Sequence, residues 1–139
     1  MKKLLPILFV LIITSCSPPP EVPSDQLVER DGIYYEINST KPFNGIQVTK
    51  KGYGLGLSKD GFTNGLPNGF MEVYDLSDRL MFRFTNDLNL VFHENGQVKS
   101  KTIIKNDMYH GLEESYDING VLIDQTCWEN GEIVDMSLC

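Results

Sequence analysis

The sequence predicts an all-β fold, with antiparallel β-hairpin repeats forming a meandering sheet after a signal peptide and a Pro-rich tether. Three observations lead there. Turn-forming pairs recur between short β-type runs, at Asn95-Gly96, Asn119-Gly120 and Asn130-Gly131, and Asn-Gly is the strongest short-range hairpin signal. Aromatic residues are followed six places later by aliphatic ones at Tyr74 and Leu80, Phe92 and Val98, and Tyr116 and Leu122. These landmarks return at a step of about 24 residues, the mark of a repeat architecture.

Residues 1–15 read as a targeting segment. Lys2 and Lys3 precede Leu4 to Ile13, an apolar run of ten residues broken only by Pro6. Crossing a bilayer takes about 20 residues, so the run has the length of a secretory core instead. It ends in Ile13-Thr14-Ser15-Cys16. An aliphatic residue, two small ones and a Cys resemble the lipobox of bacterial lipoproteins. That resemblance implies cleavage before Cys16, acylation of Cys16 and a membrane as a partner through that lipid. Ser17 in the next position resembles the sorting signal for an outer-membrane destination in many Gram-negative bacteria.

Residues 16–26 read as the tether. Pro18, Pro19, Pro20 and Pro23 cannot donate backbone hydrogen bonds, and they favour extended, semi-rigid chain. Residues 27–139 are then the folded domain. Without its first 15 residues the chain has 124, enough for one modest core. It keeps 10 basic against 19 acidic residues, a net charge of −9. That charge repels nucleic acid and anionic lipid headgroups. It suits either plain solubility or docking to a basic protein.

The spacing within each unit sets the register. A two-residue loop at Asn95-Gly96 would pair Phe92 with Lys99. A three-residue loop, Glu94-Asn95-Gly96, pairs Phe92 with Val98, and the same choice pairs Tyr116 with Leu122 and Tyr74 with Leu80. Three aromatic–aliphatic cross-strand pairs favour the three-residue loop with a bulge. Asp78, Gly96 and Gly120 then take positive φ, which Gly adopts freely and Asp tolerates. Connectors precede two units, at Asn64-Gly65-Leu66-Pro67-Asn68-Gly69 and Asn106-Asp107-Met108-Tyr109-His110-Gly111. Carrying the bulged register on to Asn130-Gly131 pairs Cys127 with Ile133.

Tyr116-Asp117-Ile118-Asn119-Gly120, Phe92-His93-Glu94-Asn95-Gly96 and Trp128-Glu129-Asn130-Gly131 resemble the bacterial MORN-variant repeat, in which an aromatic, polar residues, Asn-Gly and an aliphatic precede a Gly-rich connector. The match runs from about Gly65 to Ile133. Asp31 to Gly45 looks like an opening unit, and Lys50 to Gly61 departs from the pattern. The resemblance implies a sheet built from hairpins, and relatives with an antitoxin-like label make an immunity-like role one expectation.

Candidates for chemistry are few. His93 and His110 stand outside any metal-ligand spacing, so both read as structural, and neither a metal nor a cofactor is expected. Gly52-Tyr53-Gly54-Leu55-Gly56 before Ser58-Lys59 lacks the phosphate-loop motif and reads as a loop or bulged hairpin. Glu113, Glu114 and Asp117 gather on one strand, as a solvated face rather than a glycosidase pair. Tyr34, Tyr35, Phe43, Tyr53 and Trp128 suit packing better than a ligand groove. No catalytic residues are assigned.

The expected function is that of a lipid-anchored protein-binding or scaffold module of the cell envelope, taking an envelope or secreted protein as partner. The alternative is a protein that binds or hydrolyses an envelope polymer. Cys127 and Cys139 leave two readings open. An oxidising compartment favours a bridge, contributing about 2–4 kcal/mol. A straight final strand would instead hold them about 20 Å apart, beyond the roughly 7 Å that a bridge allows.

Overall fold

The computed structural model describes residues 17–50 and 55–139. The leader, Cys16 with its lipidation motif, and Tyr53 lie outside these residues. The described chain is an all-β meander. Its strands are β1 (Glu21–Pro23), β2 (Leu27–Arg30), β3 (Ile33–Glu36), β4 (Gly45–Lys50), β5 (Leu55–Thr63), β6 (Leu66–Asp75), β7 (Leu80–Phe84), β8 (Leu88–Phe92), β9 (Val98–Lys105), β10 (Met108–Tyr109), β11 (Gly111–Tyr116), β12 (Leu122–Glu129) and β13 (Glu132–Val134). Single 3-10 turns at Ser24–Gln26 and Met136–Leu138 are the helical segments of the described residues.

Eleven strands form one sheet in the order β1-β4-β5-β6-β7-β8-β9-β11-β12-β13, with β10 pairing β9 to one side, while β2 and β3 make a separate hairpin. Every pairing in the large sheet is antiparallel except that of β1 with β4. This is a single layer. Among the described residues only Phe43, Phe62 and Cys127 are buried apolar side chains. Stability therefore rests on the ladder and on side-chain pairs within each face, not on a core between layers.

Turn chemistry divides the two ends of the sheet. At one end Asp78, Gly96 and Gly120 take φ of 58°, 83° and 82°. Each closes a three-residue loop, so that Tyr74 lies opposite Leu80, Phe92 opposite Val98 and Tyr116 opposite Leu122, each beside a register shift. At the other end, Asn64-Gly65, Asn106-Asp107 and Asn130-Gly131 have both residues at positive φ. Two adjacent positive-φ residues make the type I′ turn, whose twist matches that of the strands it joins.

Two sequence expectations need correction. Glu21–Pro23, assigned to the tether, is a strand that lies beside Ile46–Val48, and the Pro20 carbonyl accepts from the Ile46 N–H at 2.8 Å. Proline fits there because β1 is an edge strand, where a missing N–H costs little. Asn130-Gly131 closes a two-residue loop, so Cys127 faces Val134 rather than Ile133. The bulged-hairpin alternative for the glycine-rich stretch agrees with the described residues: β4 and β5 pair antiparallel, Ser58 and Lys59 lie inside β5, and β5 shifts register against β6 between Leu55 and Ser58.

The β2–β3 hairpin covers the start of the sheet. Tyr34 packs on Phe62 at 4.9 Å between ring centroids, and Phe43 on Phe62 at 5.9 Å. Backbone bonds lock them together: Gly65 donates to Phe43, Phe43 to Tyr34, and Tyr34 to Gly65, at 2.8–2.9 Å. A Cβ at residue 65 would lie 2.4 Å from Ile33 Cγ2, so this turn has room for glycine alone. The arrangement recurs at the far end. Tyr109 and Trp128 pack edge to face at 5.3 Å, and Gly131 donates to the Tyr109 carbonyl. Tyr109 stands 22 residues before Gly131, as Phe43 does before Gly65.

Gly96 has φ +83° and no neighbour within 4 Å of an added Cβ. Gly96→Val therefore isolates the conformational cost of a β-branched residue at positive φ. The unfolding free energy should fall by about 1–2 kcal/mol, read from urea titration of circular dichroism. An unchanged midpoint would rule out the strained turn.

Candidate functional site

Register carries side chains from distant parts of the sequence into rows across the sheet. Lys59, Glu72, Arg83, Leu90, Lys101, Glu114 and Gln125 are successive cross-strand neighbours and share one face. Their charges alternate where they meet. Lys59 pairs with Glu21, Arg83 bonds Glu72 at 2.6 Å, and Lys101 approaches Glu114 at 4.0 Å. Tyrosines two residues on complete the carboxylates: the Tyr74 hydroxyl donates to Glu72 at 2.6 Å, and that of Tyr116 to Glu114 at 3.0 Å. Lys59 also lies over the Tyr74 ring and Arg83 over the Phe92 ring. Burial, with Glu72 beside it, pushes the Tyr74 hydroxyl up to about 12.

The next row, Ser58, Val73, Phe82, Val91, Ser100, Ser115 and Asp124, lies on the opposite face. Its centre is apolar, and Phe82 stacks on Phe84 at 6.1 Å. Each face bears a shallow groove near the bulged turns. One, of about 360 Å³, is bounded by Gln97, Val98, Lys101, Tyr116, Asn119 and Gly120. The other, of about 420 Å³, includes His93, Lys99, Ser100, Ser115 and Asp124.

The bulged turns are tied to one another. Arg79 reaches Glu94 at 3.3 Å, Asn95 donates to the Ile118 carbonyl at 2.8 Å, and His93 Nε2 meets the Tyr116 carbonyl at 2.9 Å. A carbonyl only accepts, so that ring carries its proton on Nε2. Asp75 and Asp117 each accept two amides of their own turn. The N–H of Arg79 is the largest influence holding the Asp75 carboxyl below its usual range, and that of Val121 does the same for Asp117.

The C-terminal edge is the other exposed feature. β13 pairs only with Cys127, Trp128 and Glu129. Leu122 to Thr126 have β11 on one side and no backbone partner on the other among the described residues. Leu122 and Ile123 are 44% and 65% exposed there. Past Val134 the chain turns away. Asp135 caps the turn by accepting from the Ser137 hydroxyl and N–H, and the hydroxyl first, then the N–H, hold its carboxyl below the usual range. Cys139 then returns to Cys127 in a disulfide with Cα atoms 5.8 Å apart.

The structure thus brings Cys127 and Cys139 together, groups Asp78, Asn95, Gly96, Asn119 and Gly120 at one end, and sets Asn130 and Gly131 at the other. His110 holds the connector position that Asn44 and Asn68 hold elsewhere. Glu113 accepts from Trp128 Nε1 at 2.6 Å. Among the described residues there is no cluster of three or more His, Cys, Asp or Glu that could hold a metal, and no helix is long and apolar enough to cross a membrane. Sequence reasoning missed the charged row, whose members lie up to 13 residues from their neighbours in the chain. It also missed a signal in plain sight. Beyond Lys105 there are eight acidic residues and no Lys or Arg. No family model matches the chain, and no curated protein or solved structure does.

Two outcomes follow from these contacts. Glu72→Gln should cost about 1–2 kcal/mol, because Arg83 and Tyr74 lose a charged acceptor. A double-mutant cycle with Arg83→Gln should recover part of that as coupling, and strictly additive losses would exclude the pair. Acid is the second test. Carboxyls depressed in the folded state stabilise it above their unfolded value of about 3.9, and that contribution is lost as pH falls through the folded values. Unfolding free energy should drop below about pH 4. Asp117→Asn should flatten that drop in urea titrations at stepped pH.

Proposed function

We propose that this chain is a lipid-anchored module of the bacterial cell envelope that binds another protein, by adding a strand at its open C-terminal edge. One observation carries the binding mode: the outer side of Leu122 to Thr126 offers backbone groups and exposed apolar side chains with nothing paired to them among the described residues. A strand edge of this kind is a template for another chain. The Ile13-Thr14-Ser15-Cys16 motif supports the anchor, and the repeat spacing supports kinship with MORN-variant proteins. An immunity-like or scaffold role falls within this reading.

The groove at Tyr116 favours a second reading. An aromatic ring beside Gln97 and Asn119 is a combination that takes a sugar, so binding of an envelope glycan is the alternative. A photocrosslinking residue replacing Ile123 in living cells should give a discrete protein adduct. The same residue at Ile37, far from the edge, should not. Equal labelling at both positions would remove the edge from the reading. Loss of glycan retention on Tyr116→Ala, with no adduct at residue 123, would favour the alternative. Cys16→Ala should move the protein out of the membrane fraction or leave it unprocessed, and unmodified Cys16 in the mature wild-type chain would refute the anchor.

A further inference from the structure

We infer that the open edge of β12 takes an extended basic segment, and that the Cys127–Cys139 bridge keeps it open by denying it the chain's own last residues. The inference rests on the strand-addition reading above and gives it a partner chemistry and a gatekeeper.

Register supplies the first half. Glu129 and Glu132 face each other across the two-residue turn, and Cys127 faces Val134. Residues that flank such a turn exchange both peptide hydrogen bonds, and alternate residues then aim their peptide groups to the same side. Cys127 bonds outward to Val134, so Gln125 aims its N–H and C=O at the same outer side, where no partner stands among the described residues. Thr126 and Asp124 aim theirs inward at β11. An incoming strand therefore has a bonding position at Gln125, with Leu122 and Ile123 as apolar contacts beside it.

Charge chooses among incoming strands. The last quarter of the chain, from Asn106 on, holds eight acidic residues and no Lys or Arg. Asp124 lies in the open segment itself, and Glu129 and Glu132 flank it. Glu113, Glu114 and Asp117 have partners within the sheet, whereas the side chains of Asp124, Glu129 and Glu132 have none among the described residues. An acidic strand is repelled here and a basic one drawn in, and salt weakens the effect. A second copy of this chain would bring Asp124 and its neighbours against their own kind.

The chain itself has residues of the right length to cover the gap. Continuing β13 in the Cys127–Val134 register would set Asp135 opposite Thr126, Met136 opposite Gln125, Ser137 opposite Asp124 and Leu138 opposite Ile123. Such a strand would carry Cys139 five residues beyond Val134, about 17 Å along the edge. The bridge holds its Cα 5.8 Å from that of Cys127. Bridge and straight strand exclude each other, so the linked tail folds into the 3-10 turn at Met136–Leu138 and the edge stays bare.

The test uses the purified full chain and short peptides in which Lys or Glu alternates with Val, followed by hydrogen exchange at single amides. The Lys peptide should slow exchange at Gln125, and less so as salt rises. The Glu peptide and a Lys peptide interrupted by Pro should leave Gln125 unchanged. Equal protection by Lys and Glu peptides would overturn the charge selection, and peptide binding without protection of Gln125 would overturn the edge. Cys139→Ser tests the bridge. Gln125 should become protected without peptide, and an edge covered nine-tenths of the time should lose about tenfold in apparent affinity. Cys127→Ser in a chain ending at Val134 lacks both bridge and tail, and it should bind the Lys peptide as the wild type does. If Cys139→Ser leaves Gln125 exchange and affinity unchanged, the bridge does not guard the edge. Should every peptide result hold while cells yield no adduct at residue 123, the chemistry stands and only its use in the envelope fails.

Discussion

In-plane strand pairing is the interaction on which this molecule depends. A single-layer sheet has no second layer to bury its faces, and three buried apolar residues among those described are a small core for a domain of this size. Each strand is held by two neighbours through backbone bonds, and each side chain by the residues before and after it in a row. The charged row shows how little else is available. Its lysines, arginine and glutamates are individually weak at a surface, but Lys59 and Arg83 each lie over an aromatic ring, and Glu72 and Glu114 each accept from a tyrosine hydroxyl. A sheet built in this way cannot lose a strand from its middle without losing both halves of the ladder, so the ends need closure. The β2–β3 hairpin supplies it at one end through Tyr34, Phe43 and Phe62, and at the other the Tyr109–Trp128 pair and the disulfide pin the β12–β13 turn while the edge at Leu122 to Thr126 stays bare.

Much of this was legible in the sequence because turns in β structure are chemically explicit. Positive φ narrows the choice to Gly, Asn and Asp, and the loop length then sets which residues face each other. Tyr74, Phe92 and Tyr116 could be placed opposite their aliphatic partners from spacing alone. The same reasoning misplaced Cys127 by one residue, because a bulged loop was carried over to Asn130-Gly131. Both of those residues take positive φ, and the turn needs no third. Spacing between an Asn-Gly and its flanking aromatic would have separated the two types: Trp128 stands two residues before Asn130, whereas Phe92 stands three before Asn95.

Other features were hidden for physical reasons. The strand at Glu21–Pro23 has no pattern of its own, since three residues with a proline are extended whether paired or not. Its partner, Ile46 to Val48, is more than 20 residues away, and a parallel pair leaves no turn to mark it. The charged row is invisible until register is known, because Glu72 and Arg83 are adjacent only across strands. The acidic tail of the charge distribution needed no structure at all. It was obscured by counting charge over the whole chain, which averages a mixed first part with a wholly acidic last part.

If Cys16 carries the proposed lipid, the pairing of β1 would also decide how far the domain stands from that anchor point. With Pro20 already bonded to Ile46, a chain held at Cys16 has only Ser17, Pro18 and Pro19 as free leash, about 9–10 Å in extended form. That is comparable to the depth of a lipid headgroup layer, so the first strands would ride on the membrane surface with little freedom to tilt. The open edge of β12, eight strand spacings from β1, would stand as much as about 38 Å farther out along the sheet. On the proposed anchor, such a short leash on a long plate would act as a mast, fixing height and heading together, so that a partner approaching along the bilayer would meet the acidic rim at a set elevation.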